Sequence, residues 1–278
     1  GIEGNYTEYM AYEKVVIIGG GFGGLNVAKG LKRFHGEVLL IDKMNHHLFQ
    51  PLLYQVATCA LSPGNITYPI REILRHQTHT EVMMGNVEKI DLKGSKVILD
   101  DGTEIAFSIL VIAPGARHSY FGHPEWETHA PGLKDISDAL NIRDRILMTY
   151  EKAERMDSIQ EAKKYMRFVI VGGGPTGVEM AGAIAEIAKK TLLKNFRKIK
   201  PEQTEIYLIE GLNQILPSYP KELAEIAKRD LEKMGVKVLL NERVEEIEPC
   251  GVKTNLRYIE TPTVIWAAGN EASPILKT

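Results

Sequence analysis

Two glycine-rich phrases constrain this chain more than any other feature. Val15 to Ile18 runs into Gly19, Gly20, Gly21, Phe22, Gly23 and Gly24; Phe168 to Val171 runs into Gly172, Gly173, Gly174, Pro175, Thr176 and Gly177. Each is a short apolar run, then GxGxxG, then a stretch suited to a helix, and corresponding glycines lie 153 positions apart. A strand that turns through glycines into a helix lets the backbone approach a pyrophosphate at the positive end of the helix dipole. One such phrase is weak, because a tight strand-to-helix turn can serve packing alone. Two in register point to a duplicated nucleotide-binding unit.

The duplication continues downstream. Val82 to Asp91 matches Val238 to Glu248, each read as an alternating strand. Ile109 to Gly115 matches Thr263 to Gly269, each read as a buried strand ending in a small-residue turn. Lys96 to Leu99, Asp101-Gly102 and Glu104 to Phe107 read as a hairpin. An acidic residue ends the second apolar strand of each copy: Asp42, 23 residues past Gly19, and Glu210, 38 past Gly172. A carboxylate there accepts from ribose hydroxyls, so both copies read as adenine-dinucleotide sites. The extra 15 or so residues of the second copy include Lys189 to Lys200, expected to extend its helix as a basic segment with a solvated face, the alternative being contact with an anionic membrane surface.

The expected fold class is therefore α/β, with two Rossmann-like dinucleotide-binding domains, and 278 residues suit two domains. Residues 1–12 read as a leader or cloning remnant, with Met10 as the native start. Residues 13–118 form the first part of one nucleotide domain, 119–262 the second domain, and 263–278 the return toward the first. Lys plus Arg (34) nearly balances Asp plus Glu (36), which disfavours nucleic acid as a partner. Cys59 and Cys250 stand far apart, so neither a disulfide framework nor a zinc spacing is present. No apolar run approaches the ~18 residues of a membrane span.

Two dinucleotides held by one chain suit hydride transfer between a nicotinamide and a flavin, although the glycines alone do not say which copy takes which. Glu210 would repel a 2′-phosphate, and no Arg or Lys occupies positions 211–216, so a nicotinamide there is expected as NADH rather than NADPH. Lys43 to Pro63 is mostly apolar with His46, His47, Gln50, Tyr54 and Gln55 interspersed, which suits a flat aromatic ligand or a core helix. His46 and His47 would point apart, so no metal is expected. With a single cysteine in this stretch, Cys59, a dithiol relay is excluded. Glu179 follows the second glycine loop, where the helix dipole favours a carboxylate and a pyrophosphate opposes it.

The phrases VVIIGGGFGGLNVAKGL, IDKMNHHLFQPLLYQVATCALSP, ILVIAPGARHSYFGHPEWETHAPGLKDISDAL, VIVGGGPTGVEMAGAIAEI and VIWAAGNEASP resemble the type II NADH dehydrogenases, single-subunit NADH:quinone oxidoreductases of respiratory membranes. The resemblance implies FAD in the first unit. Gly19, Gly20, Gly21, Phe22, Gly23 and Gly24 would lie around its pyrophosphate, Asp42 and Lys43 at the adenosine end, the Val87 backbone beside adenine, with Ala113 and Gly115 in the closing turn. It implies NADH in the second, with Gly172, Gly174, Thr176 and Gly177 at the pyrophosphate, Glu210 at the ribose and Gly269 in the matching turn. Glu179 would be catalytic near the nicotinamide, and Gln50, Tyr54 and Gln55 would face the substrate. The implied partner is a membrane quinone, and the implied location is the cytoplasmic face of the cell membrane, peripheral, through a C-terminal anchor that this chain lacks. A homodimer is left open. Family members continue well past the WAAG turn, so the chain reads as a fragment whose flavin domain is incomplete. A dinucleotide-binding module without turnover and a sulfide:quinone oxidoreductase are the alternatives.

Overall fold

The computed structural model describes residues 13–44, 46–48, 57–58, 67–192, 194–272 and 275. These divide into two compact units, one made of 13–48, 67–116, 272 and 275, the other of 57–58 and 117–271. Both are α/β units with a parallel sheet of the same connectivity.

In the first unit β1 (Lys14–Ile18) leads through the glycines to α1 (Phe22–Gly30) and β2 (Glu37–Asp42). A short ladder follows, β3 (His46–Leu48) against β4 (Thr67–Pro69), then α2 (Ile70–Ile73) and β5 (Thr80–Met84). An antiparallel sheet of β6 (Val87–Asp91), β7 (Lys96–Leu99) and β8 (Glu104–Ala106) precedes β9 (Ile109–Ile112). The parallel sheet runs β5-β2-β1-β9. Alternation along β1 sorts its side chains between two cores. Val15 and Ile17 pack with Leu25 and Ala28 of α1, whereas Val16 and Ile18 pack with Ile90, Val97, Leu99, Ile105 and Ile275. Each such fully buried aliphatic contributes about 1.5–3 kcal/mol.

The second unit repeats the plan. After β10 (Ala116–His118) come α3 (Ile136–Glu154) and α4 (Ile159–Tyr165), then β11 (Arg167–Val171), α5 (Pro175–Glu186), β12 (Glu205–Ile209), α6 (Lys221–Lys233) and β13 (Val236–Leu239). The antiparallel sheet of β14 (Val244–Glu248), β15 (Gly251–Thr254) and β16 (Tyr258–Glu260) precedes β17 (Thr263–Trp266) and β18 (Asn270–Ala272). The parallel order, β13-β12-β11-β17, reproduces the first unit strand for strand. Asp135 starts α3 by accepting from Asp138 N at 2.8 Å, and the Asp138 carboxylate accepts in return from Asp135 N, a reciprocal cap.

Several expectations change. Val82 to Asp91 is two strands rather than one: β5 ends the parallel sheet and β6 opens the antiparallel one, with Gly85 N bonded to Asp42 O at 2.8 Å between them. The same break separates β13 from β14. The two closing strands differ in burial. Thr263–Trp266 is buried throughout, because Trp266 N bonds to Pro131 O at 2.9 Å, but Ile109 (44%) and Ile112 (37%) of the edge strand β9 are exposed. Since β17 completes the second sheet beside β11, the chain leaves that unit after β17 and not before it at residue 262.

The basic segment does not continue α5 to Lys200. One π-helical turn, Ile187–Thr191, closes with Leu192 N on Ile187 O, and irregular turns follow. Leu192 and Ile199 are buried and Phe196 stacks on Tyr150 at 6.1 Å, so these apolar side chains face the protein; Leu193 lies outside the described residues. Glu154 at the end of α3 fastens the loop, accepting from the backbone N–H of Arg197, Lys198 and Ile199 at 2.9–3.1 Å.

Candidate functional site

The first glycine loop assigns each glycine a different duty. Gly19 has φ +102°, and a Cβ there would overlap Ala113 O in the neighbouring strand end. A Cβ on Gly24 would overlap Gly19 O, so this position sets how closely α1 packs on β1. A Cβ on Gly21 would meet nothing within 4 Å. Gly21 is the N-cap of α1, without a side-chain cap and without an acid in the first turn. A helix start without a side-chain cap, an open approach and no acid in the first turn are what a pyrophosphate needs. Gly23 faces Ala113 Cβ at 3.7 Å, and Phe22 is exposed at the helix start.

The second loop matches it. Gly172 has φ +109° and a Cβ would meet Ala267 C at 2.6 Å; a Cβ on Gly177 would overlap Gly172 O; a Cβ on Gly174 would meet nothing within 4 Å. Gly174 caps α5 with neither a side-chain cap nor an acid in the first turn, and Thr176 is exposed there.

The acidic residues occupy equivalent places. Gly20 N donates to Asp42 Oδ1 at 2.7 Å, and Met44 N donates to Asp42 Oδ2 at 2.9 Å. Gly173 N lies 3.5 Å from Glu210 Oε2, a longer and weaker version of the same bond. Each carboxylate is thus tied to the middle glycine while staying half-exposed, with acceptor capacity left for a ribose.

Lys43 is exposed directly after Asp42, and Val87 opens β6 opposite Leu99. Ala113 N bonds to Ile18 O at 2.7 Å, and Gly115 has φ +75° with open space around it. Its counterpart Gly269 has φ +61°, but a Cβ there would come within 3.0 Å of Phe121 Cε1. Glu179 stands on the second turn of α5, exposed, and partial desolvation pushes its carboxyl above the ordinary glutamate value. Gln50, Tyr54, Gln55 and Cys59 lie outside the described residues.

Two features are not foreseeable from the motifs. His47 is buried, its Nδ1 lies 3.0 Å from Gly20 O, and its ring meets Phe22 edge-on at 4.9 Å, so it buttresses the first glycine loop. In the second unit, Asn241 N bonds to Leu212 O at 2.9 Å and Glu242 N to Glu210 O at 3.1 Å, which lays residues 241–243 alongside 210–212. Glu242 is 1% exposed, and its charge is met by Arg257 Nη2 at 3.0 Å and Thr254 Oγ1 at 2.8 Å. The duplication carried the only hint: this segment precedes Val244 as Asn86 precedes Val87. Among the described residues no His, Cys, Asp and Glu group could hold a metal ion.

Comparison with known proteins gives a consistent picture. The pattern of the pyridine nucleotide-disulphide oxidoreductases matches residues 13–278. The chain is 46% identical over 272 residues to the type II NADH:quinone oxidoreductase NdhA of Mycobacterium tuberculosis, covering 95% of this chain and 58% of that protein. It is 43% identical over 268 residues to the type II NADH:quinone oxidoreductase Ndh of the same organism, with 94% and 58% covered. The solved structure of NDH2 from Plasmodium falciparum in complex with NADH superposes with a TM-score of 0.87 at 27% identity, covering 95% of this chain and 56% of the other. The chain therefore spans a little over half the length of these relatives.

Proposed function

Since the chain belongs to the pyridine nucleotide-disulphide oxidoreductase family, we propose that it is the dinucleotide-binding portion of an NADH:quinone oxidoreductase of the type II NADH dehydrogenase kind. The observation that carries this reading is the duplicated cradle: an open glycine at an uncapped helix N-terminus, with a half-exposed carboxylate tied to the middle glycine, in both units. The cradles fit FAD and NADH because a Cβ at Gly21 or Gly174 would stand in the open face where a pyrophosphate approaches. In this reading Gly19 to Gly24, Asp42, Lys43 and Val87 hold FAD, with Ala113 and Gly115 closing its site. Gly172, Gly174, Thr176, Gly177 and Glu210 hold NADH, with Gly269 in the closing turn.

When bound, FAD supplies an acceptor for the hydride of NADH and a donor of electrons to the quinone. The protein's part is to bind, orient and hold protons. The helix N-termini offset pyrophosphate charge, Asp42 and Glu210 fix the riboses, and Glu179, with its raised carboxyl, keeps a proton to higher pH than a solvated glutamate. Gln50, Tyr54 and Gln55 are assigned to the quinone side. The whole protein is placed at the cytoplasmic face of the cell membrane as a peripheral protein, and a homodimer is compatible with it. No helix among the described residues is long and apolar enough to cross a membrane.

Steady-state NADH oxidation by FAD-loaded protein, with a soluble quinone as acceptor, tests this reading. Quinone-dependent NADH oxidation that drops in Glu179→Gln while NADH still binds is expected. NADH binding with no electron transfer to any quinone would leave a nucleotide-binding module in its place.

A further inference from the structure

The coenzyme preference expected from Glu210 rests on the lack of a cation at positions 211–216. The fold supplies one from elsewhere. Glu242 turns inward to its buried pair with Arg257, so the next residue, Arg243, faces out. A Cβ placed on Gly211 would lie 3.6 Å from Arg243 Cγ, so the arginine stem runs across the residue that follows Glu210. Its backbone is clasped on both sides: Arg243 N donates to Asn255 Oδ1 at 2.8 Å, and Asn255 N donates to Arg243 O at 3.0 Å. The backbone bonds of Asn241 and Glu242 to Leu212 and Glu210 fix the same segment. Neither an ion pair nor a hydrogen bond to the Arg243 guanidinium is formed among the described residues, although Glu210 stands on the neighbouring strand end.

An exposed arginine whose stem crosses the residue after Glu210 can turn its guanidinium, a fork suited to a phosphate monoester, toward a 2′-phosphate at that strand end. Taking the second unit as the nicotinamide site, we propose that Arg243 lets that site admit a 2′-phosphorylated coenzyme, so that NADPH binds measurably although more weakly than NADH. Glu210 repels the 2′-phosphate and Arg243 attracts it; for the 2′-hydroxyl of NADH only Glu210 matters.

The test is calorimetric titration of NADH and NADPH against the unaltered protein, Arg243→Gln and Glu210→Gln, with thermal unfolding as a check on folding. Loss of a charge-assisted contact should weaken NADPH about tenfold or more in Arg243→Gln, against less than about threefold for NADH. Glu210→Gln should tighten NADPH while weakening NADH. The NADPH affinity of the unaltered protein should also fall more steeply with salt than that of Arg243→Gln. NADH binding with no detectable NADPH binding, or an equal effect of Arg243→Gln on both coenzymes, overturns the role of Arg243 alone. Failure of the unaltered protein to bind NADH at all overturns the nicotinamide assignment beneath it.

Discussion

Gly174 and Gly177 stand three residues apart on one loop, and alanine at each should fail in opposite ways. A Cβ on Gly177 would drive into the Gly172 carbonyl, with Ala267 Cβ behind it at 3.4 Å, so α5 must move off β11. Overpacking against backbone of this kind costs about 3 kcal/mol. The better helix propensity of alanine returns about 1 kcal/mol, leaving a net loss of about 2 kcal/mol. For a chain of this size that lowers the midpoint of thermal unfolding by about 4–8 °C. Gly174 has φ −73° and ψ −176°, which alanine adopts freely, and a Cβ there meets nothing within 4 Å. The poorer N-cap and the stiffer unfolded chain oppose each other, so stability should change by less than about 0.5 kcal/mol. Binding should change instead, because the methyl group occupies the approach to the helix N-terminus, and NADH affinity should fall at least about tenfold, or 1.4 kcal/mol. Thermal unfolding and an NADH titration of both variants decide the matter. Equal destabilisation of the two, or unchanged NADH affinity in Gly174→Ala, would refute the division of labour among the glycines.

Further expectations concern the acids. Glu210→Ala should cost about 1.5–3 kcal/mol of NADH binding, read by the same titration, and unchanged affinity would remove Glu210 from the ribose site. Asp42→Ala frees the N–H groups of Gly20 and Met44, so FAD affinity should fall, and hydrogen exchange at Gly20 should quicken. For Glu179 the folded-state pKa lies above the unfolded one, so the folded chain holds the extra proton. Its stability contribution is therefore present below the ordinary glutamate value and lost as pH rises through the elevated one. Urea unfolding across that window should show this slope in the unaltered protein and lose it in Glu179→Gln. Glu154 behaves in the opposite sense. Desolvation pushes its carboxyl upward, but the N–H groups of Lys198, Ile199 and Arg197 outweigh that and hold it low, so its contribution is lost as pH falls through the depressed value. Glu154→Gln should make the loop at 194–200 more sensitive to proteolysis.

Elements whose determinants are local were readable in the sequence. The apolar runs Val15–Ile18 and Phe168–Val171 are central strands because their alternate residues are buried on both faces, and the glycine spacing fixed the strand-to-helix turns. The hairpin at Lys96 to Ala106 was equally plain, with Gly102 at φ +84° in its turn. Features set by distant partners were not readable. Both β9 and β17 end their sheets, and the run at Thr263 is buried where residues 131 and 132 lie along its outer side at Trp266, whereas Ile109 and Ile112 are exposed. The basic segment has near-helical spacing, yet Glu154, more than forty positions earlier, turns its backbone into an irregular loop. At the sites, Gly19 to Gly24, Asp42 and Glu210 follow from motif spacing. His47 on Gly20 O and Arg243 over Gly211 are visible only once strands from separate parts of the chain lie side by side.

The central claim, that the two cradles hold a flavin and a nicotinamide that exchange a hydride, is tested most directly by the visible absorbance of FAD-incubated protein before and after anaerobic addition of NADH. A bound flavin band that bleaches on NADH addition is the predicted result. No flavin band after incubation with FAD, or a band that NADH leaves unchanged while NADH is shown to bind, would contradict the claim.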